Sequence, residues 1–384
     1  MTGNPDTLPL SFGISFQDLY LREGLQRVDE LFLGHLRAGR ADLETRLLAA
    51  RQNPSALDPK QAAELVVDLA PYLEDFVAEL FGISPAVREL QERHHGLAPL
   101  YSVKRRFVQR KALTNSNKEQ AAAIDPQAAR ADLEALLGEP LTEAAFAIHV
   151  SRWLDDEENH KSALAAAARY TQWAMLTPEG QALHHSGVLF KSPHKLDMNH
   201  LVPVETIERN HLIQVRLPEN QWRHREGFGL TDRGMDLAAA LDHANYCIKC
   251  HNQRKDSCRT GLREKTGEFK KSAFGITLAG CPLEEKISEM NFVKMQGNSI
   301  GALAIVTIDN PMAAGTGHRI CNDCMKACIF QKQEPVDIPQ VETRTLKDVL
   351  DLPWGFEIYS LLTRWNPLNF AHPLPKPASG YKIL

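Results

Sequence analysis

Seven cysteines fall between residues 247 and 328, and the remainder of this 384-residue chain has none. They are spaced C-x2-C-x7-C at Cys247, Cys250 and Cys258, then Cys281 followed by Pro282, then C-x2-C-x3-C at Cys321, Cys324 and Cys328. Two thiolates separated by two residues can reach one metal or cluster from a single turn of backbone, and thiolates favour soft metals. The amino-terminal stretch "MTGNPDTLPLSFGISFQDLY" has neither the basic segment nor the unbroken apolar run of an export signal. A cytoplasmic location is therefore expected, where thiols stay reduced and clustered cysteines read as metal ligands before disulfides.

Runs of closely spaced cysteines, in which the last can serve a second cluster, are the iron–sulfur pattern. Two four-iron clusters need eight ligands, so seven thiolates and one oxygen or nitrogen donor suffice. Three alternatives compete. A four-thiolate zinc site uses the same C-x2-C pairs but leaves three cysteines over. "CIKCH" matches the covalent haem attachment pattern, which belongs to exported proteins and leaves five cysteines unexplained. Free buried cysteines are the third. The iron–sulfur reading alone accounts for all seven.

The rest of the chain reads as mainly α. From Phe16 to about Leu48 the apolar residues Leu19, Leu25, Val28, Phe32, Leu36, Leu43 and Leu47 recur at helical spacing. A second helix is expected after Asp58 as cap with Pro59 in its first turn. A short basic helix around Lys104–Lys111, read as a solvated face, and further alanine-rich helices complete a helical domain over residues 1–180. Residues 181–230 are an irregular connecting region, with "LVPVETIERNHLIQVRLP" its best candidate for a strand pair. Its six histidines fit no ligand set. A helix capped by Thr231 or Asp232 then leads into the first cysteines and a cysteine domain over 231–350. Residues 351–384 are proline-rich and read as a linker.

Several non-cysteine positions match as well. "AGCPLEEKISEMN", "GNSIGALAIVTIDNP", "TGHRICNDCMKACIF" and "PVDIPQVE" occur in order over about 100 residues. In this the chain resembles the N-terminal iron–sulfur domain of the glutamate synthase small subunit, shared by dihydropyrimidine dehydrogenase and related FAD-dependent pyridine-nucleotide oxidoreductases. The resemblance implies a helical domain holding two 4Fe–4S clusters with interleaved ligands. Cys247, Cys250, Cys258 and Cys328 would hold one; Cys281, Cys321, Cys324 and Glu342 the other, with Gln340 the rival for the eighth place. The chain departs from the family in a longer gap between Cys250 and Cys258 and a long insertion before Cys281. His251, Lys249, Lys255 and Lys326 lie beside the ligands and could tune the clusters or be ordinary surface charges.

The relatives continue into FAD-binding and NAD(P)H-binding domains. Here "YKIL" at 381–384 resembles the opening of the first such strand, and no G-x-G-x-x-G occurs in the chain. FAD and NAD(P)H are thus expected on a longer chain or a partner subunit, with this chain inactive by itself. The implied activity is a relay of single electrons between flavin and an unidentified acceptor; a metal-stapled, non-redox interaction module is the alternative. A net charge of −4 gives no reason to expect nucleic acid or an anionic membrane as partner. No P-loop, G-x-S-x-G or H-E-x-x-H supports other enzyme chemistry.

Overall fold

The computed structural model describes residues 8–253, 255–317 and 320–377. The "YKIL" segment lies outside them. The chain is mainly α, with one two-stranded hairpin among the described residues. None of its described helices is long and apolar enough to cross a membrane.

A 3-10 turn at Phe16–Tyr20, closed by a capping box between Ser15 and Asp18, leads into α1 (Arg22–Gln52), whose backbone breaks once at Arg40. In α2 (Pro59–Leu80), Asp58 accepts from the N–H groups of Lys60 and Gln61 and Pro59 occupies the first turn, as the sequence predicts. After α3 (Ser84–Gly96) and α4 (Ala98–Val103), residues Lys104–Ala112 wind as a π-helix. That segment is not a purely solvated face. Phe107 and Val108 are buried, and Lys104 is buried against the Asp242 carboxylate at 2.6 Å.

Next come α5 (Lys118–Ala122), α6 (Pro126–Leu137), α7 (Glu143–Asp155), α8 (Lys161–Leu176) and α9 (Pro178–Leu183). The predicted strand pair forms: β1 (Glu205–Arg209) and β2 (Leu212–Arg216) pair antiparallel, Ile207 opposite Gln214. The helix α10 (Leu237–Tyr246) is capped by Asp236, which accepts from Ala239 N–H; Asp232 instead bonds Gly234 N–H within the preceding turn. The carboxy-terminal third holds α11 (Ser257–Thr260), α12 (Ile287–Met295), α13 (Ser299–Asp309), α14 (Ala313–Thr316), α15 (Asp323–Ala327), α16 (Ile338–Leu350) and α17 (Gly355–Leu362).

Burial divides the helices differently from their order in the chain. The first core joins α1, α2 and α3 to α12, α13, α16 and α17, and Phe32, Phe76 and Trp365 meet at its centre with ring centroids 5.5–5.9 Å apart. The second core is built from α4, the π-helix and α6–α8, closed by Val188–Phe190 and by Leu241 of α10. Residues 1–180 therefore feed two cores. The segment from 351 to 368 is not a surface linker. Ile358, Leu361, Leu362, Trp365 and Leu368 are fully buried in the first core, because α17 turns its apolar face onto α16 and α13.

Candidate metal centre

The cysteines sit on short turns supported by the first core. Cys247 ends α10, Cys250 opens a 3-10 turn, and between them Lys249 adopts a left-handed conformation (φ 57°) that reverses the chain. Cys258 lies in α11. The long insertion before Cys281 closes on itself: Leu262 N–H donates to the Leu278 carbonyl, Leu278 N–H to that of Lys270, and Lys270 N–H to that of Leu262, at 2.8–2.9 Å. Its two ends meet through glycine. At Gly280 (φ 85°) a side chain would stand 2.7 Å from the Arg259 carbonyl oxygen. Cys281 N–H then donates to the Cys258 carbonyl at 2.8 Å. The insertion thus returns Cys281 beside Cys258 rather than carrying it away.

The seven thiols form two groups. Cys247, Cys250, Cys258 and Cys328 line one cavity together with Ser257, Asn291 and the apolar Ile287, Val336 and Ile338. The cavity itself is very small, about 10 Å³. Burial pushes the Cys250 thiol up to about 12, with Asp256, Cys247 and Cys328 adding to the rise. Cys258 is raised by burial and then by the Asp256 carboxylate, which accepts its S–H at 3.1 Å. Burial raises Cys328 too, opposed by the backbone N–H groups of Phe330 and Val336, which point at its sulfur.

The second group gathers Cys281, Cys321, Cys324 and Glu342. Cys324 is raised by burial first, then by its neighbours Cys281, Glu342, Glu285 and Cys321. Glu342 is pushed up to about 8, chiefly by burial and next by the Glu285 carboxylate, with which it shares a hydrogen bond; Asn310 Nδ2 donates to its Oε1 at 3.3 Å. Of the two candidates for an eighth donor, Glu342 stands with these thiols. Gln340 is turned elsewhere, its Oε1 accepting from Met235 N–H at 3.0 Å. Cys324 lies inside α15 and Cys328 ends it, so one helical turn serves both groups.

Sequence reasoning missed Glu285, Ser257 and Asp256, and gave Asn291 a place in the matching pattern but no role. A carboxylate four residues after Cys281 and an asparagine in a helix otherwise packed on apolar neighbours were the available signals. Among the described residues, ten buried side-chain polar atoms have no hydrogen-bond partner, and eight of them belong to residues 256–343. They include Ser257 Oγ and both amide atoms of Asn291, which line the first cavity. Buried polar groups are normally paired, so such a concentration sets this part of the molecule apart. His251, of the haem-like pattern, is buried with its Nδ1 engaged by Ser288.

A single ion and a cluster ask for different geometries. Among the described residues no three His, Cys, Asp or Glu side chains are placed to hold one metal ion. A four-iron cube is wider and interposes its own sulfides, so its cysteines surround it at larger spacing. In their chemistry the donor set, the apolar walls and the unpaired amide of Asn291 suit such a body.

The fold and site define a helical protein whose cysteine-rich third is docked on an amino-terminal helical layer. That layer, residues 10–82, matches the RP005 N-terminal alpha-helical domain. The uncharacterized protein RP005 of Rickettsia prowazekii (strain Madrid E) is 30% identical over 304 residues, covering 75% of this chain and 99% of that protein, and the chain belongs to its family. The uncharacterized protein RP006 of the same organism is 64% identical over 73 residues, 19% of this chain and 10% of RP006. No solved structure matches. The likeness to glutamate synthase therefore rests on the residues from Cys247 to Glu342.

Proposed function

We propose that this chain is the electron-transfer portion of an NAD(P)H- and FAD-dependent oxidoreductase, cytoplasmic and resembling the glutamate synthase small subunit, with flavin and nucleotide held on a longer chain or partner. The observation that carries this reading is the partition of the donors into two groups of four, with Cys328 leaving its sequence neighbours to join Cys247, Cys250 and Cys258. Each group would hold one 4Fe–4S cluster. Such a cluster, when bound, accepts and returns one electron at a time at a potential set by ligands, hydrogen bonds and burial.

The chain's own residues prepare that environment. Ile287, Val336 and Ile338 keep water from the first group. Backbone N–H groups of Phe330 and Val336 at Cys328, and of Glu285 and Leu283 at Cys281, favour the thiolate forms that ligation requires. The two groups are joined by the Cys281 N–H to Cys258 carbonyl bond and by the single turn between Cys324 and Cys328. Glu342 places a carboxylate in the second group.

A reductive titration tests the reading. Two one-electron couples are expected, and Glu342→Gln should raise the midpoint of one, since losing a negative charge eases reduction. An unchanged pair of midpoints removes Glu342 from the ligand set. Metal without any couple in the physiological range leaves the stapled module, which the very small apolar cluster around the thiols otherwise favours.

A further inference from the structure

A cleft of about 830 Å³ opens between the second core and the cysteine region, within the range of small-molecule sites, roughly 300–1,000 Å³. One wall is the π-helix and residues 186–193; the other is the end of α10, the Cys247–Lys249 turn, and Phe292 and Met295 of α12. We propose that this cleft binds a flat heteroaromatic ligand carrying a phosphate, of the flavin mononucleotide class, against the turn that bears Cys247.

Three features of the wall choose that chemistry. The first is charge: four cations, Lys104, Arg105, Lys191 and Lys249, face two carboxylates, Asp242 and Glu334. Lys104 is held by Asp242 at 2.6 Å, and Glu334 faces His194 at 3.5 Å. Arg105 and Lys191 are exposed and make no ion pair among the described residues. Lys249 reaches only carbonyl oxygens, those of Ala244 and Cys247, the latter at 2.9 Å. Three cations without a carboxylate partner along one cleft suit a phosphate.

The second feature is a ring-sized apolar floor. Phe292 and Met295 are half-buried there, and Ile248 is exposed although it stands between two cysteines of the first group. A flat ring covers such a floor at little conformational cost. The third is position. Cys247 is the one half-exposed thiol of the first group, and it lines both cavities. A ring on this floor therefore lies next to the group that, on the reading above, exchanges electrons. Only that redox role rests on the reading; binding itself does not.

The test is a titration of the purified full chain with flavin mononucleotide, followed by flavin fluorescence, with iron and sulfide counted on the same sample. Saturable one-to-one quenching is expected. It should weaken about tenfold or more in Arg105→Glu and in Lys191→Glu, both exposed and so compatible with folding, and be unchanged in Lys118→Glu, outside the cleft. Riboflavin, which lacks the phosphate, should bind about tenfold more weakly, and inorganic phosphate should compete. No saturable quenching in an iron-loaded sample, or quenching indifferent to both charge reversals and to the phosphate, overturns the proposal and leaves the electron-transfer reading standing. Charge-sensitive binding in a sample without iron upholds the cleft as a site and defeats that reading instead.

Discussion

The first core and the cysteine region sit side by side and treat their buried polar groups in opposite ways. In the first core the charges are answered from within the protein. Glu74, 1% exposed, accepts from Ile300 N–H at 2.7 Å, Gly301 N–H at 3.2 Å and Gln91 Nε2 at 2.8 Å, so a side chain of α2 caps α13. Lys294 is paired with Asp348 and bonded to Ser299, and Arg344 braces the same carboxylate. In the cysteine region Ser257, Asn291, Asp256 and Glu289 each leave a buried polar atom unanswered, and the apolar cluster around the thiols has six buried members, three of them cysteines. Apart from Arg51 Nε and Arg364 Nε, the first region answers its buried polar groups itself. The other leaves buried polar atoms that, on the proposed reading, a bound cluster would answer.

The difference can be broken most directly by removing metal. Stripping the protein with an iron chelator under oxidising conditions should abolish amide-exchange protection across residues 247–260 and 281–330, while α1, α2 and α13 keep theirs. Equal loss in both regions would mean that they fold as one unit and that the contrast in satisfaction has no energetic meaning.

A smaller effect sharpens the other side. Phe76→Ala removes the ring that meets Phe32 and Trp365, and should cost about 3–5 kcal/mol in denaturant unfolding. Iron content per folded chain should not change. A parallel loss of iron would show that the centre depends on the first core for more than support.

The smallest effect concerns Glu74. Burial, opposed by its bonds to Gln91 and to the Gly301 and Ile300 N–H groups, raises its carboxyl to about 7. A group whose pKa is raised on folding stabilises most below its unfolded value, near 4.5, and that contribution fades as pH rises through about 7. Melting temperature should therefore decline between pH 5 and 8, and Glu74→Gln, which still accepts from both N–H groups, should flatten the decline. An unaltered slope in the variant would assign it to another group, such as Glu289, which is also raised to about 7.

Much of this architecture is legible in the sequence because it depends on local rules. Asp58–Pro59 announces α2 by cap and first-turn chemistry, and the 3.6-residue rhythm of Leu25, Val28, Phe32 and Leu36 marks the buried face of α1. Asn210 and His211, both left-handed, make the turn of the β1–β2 hairpin. The cysteine spacing signals metal because ligands of one site must be close in the chain or in space. What escaped was non-local. Proline density suggested a linker after residue 351, yet Trp365 donates its indole N–H to Asp29 at 2.9 Å from 336 residues away. No local pattern encodes that pairing. Glu285 was equally hidden, since it looks like surface charge until burial places it beside thiols.

Counting iron, acid-labile sulfide and zinc in protein purified without oxygen, for the wild-type chain and Cys328→Ser, tests the central claim. Two clusters predict about eight iron and eight sulfide per chain, negligible zinc, and an absorbance that dithionite bleaches. Cys328→Ser should lose about half of both elements, since that cysteine belongs with Cys247, Cys250 and Cys258 rather than with its own neighbours. A colourless zinc protein, or a variant that keeps its full iron, would contradict the account.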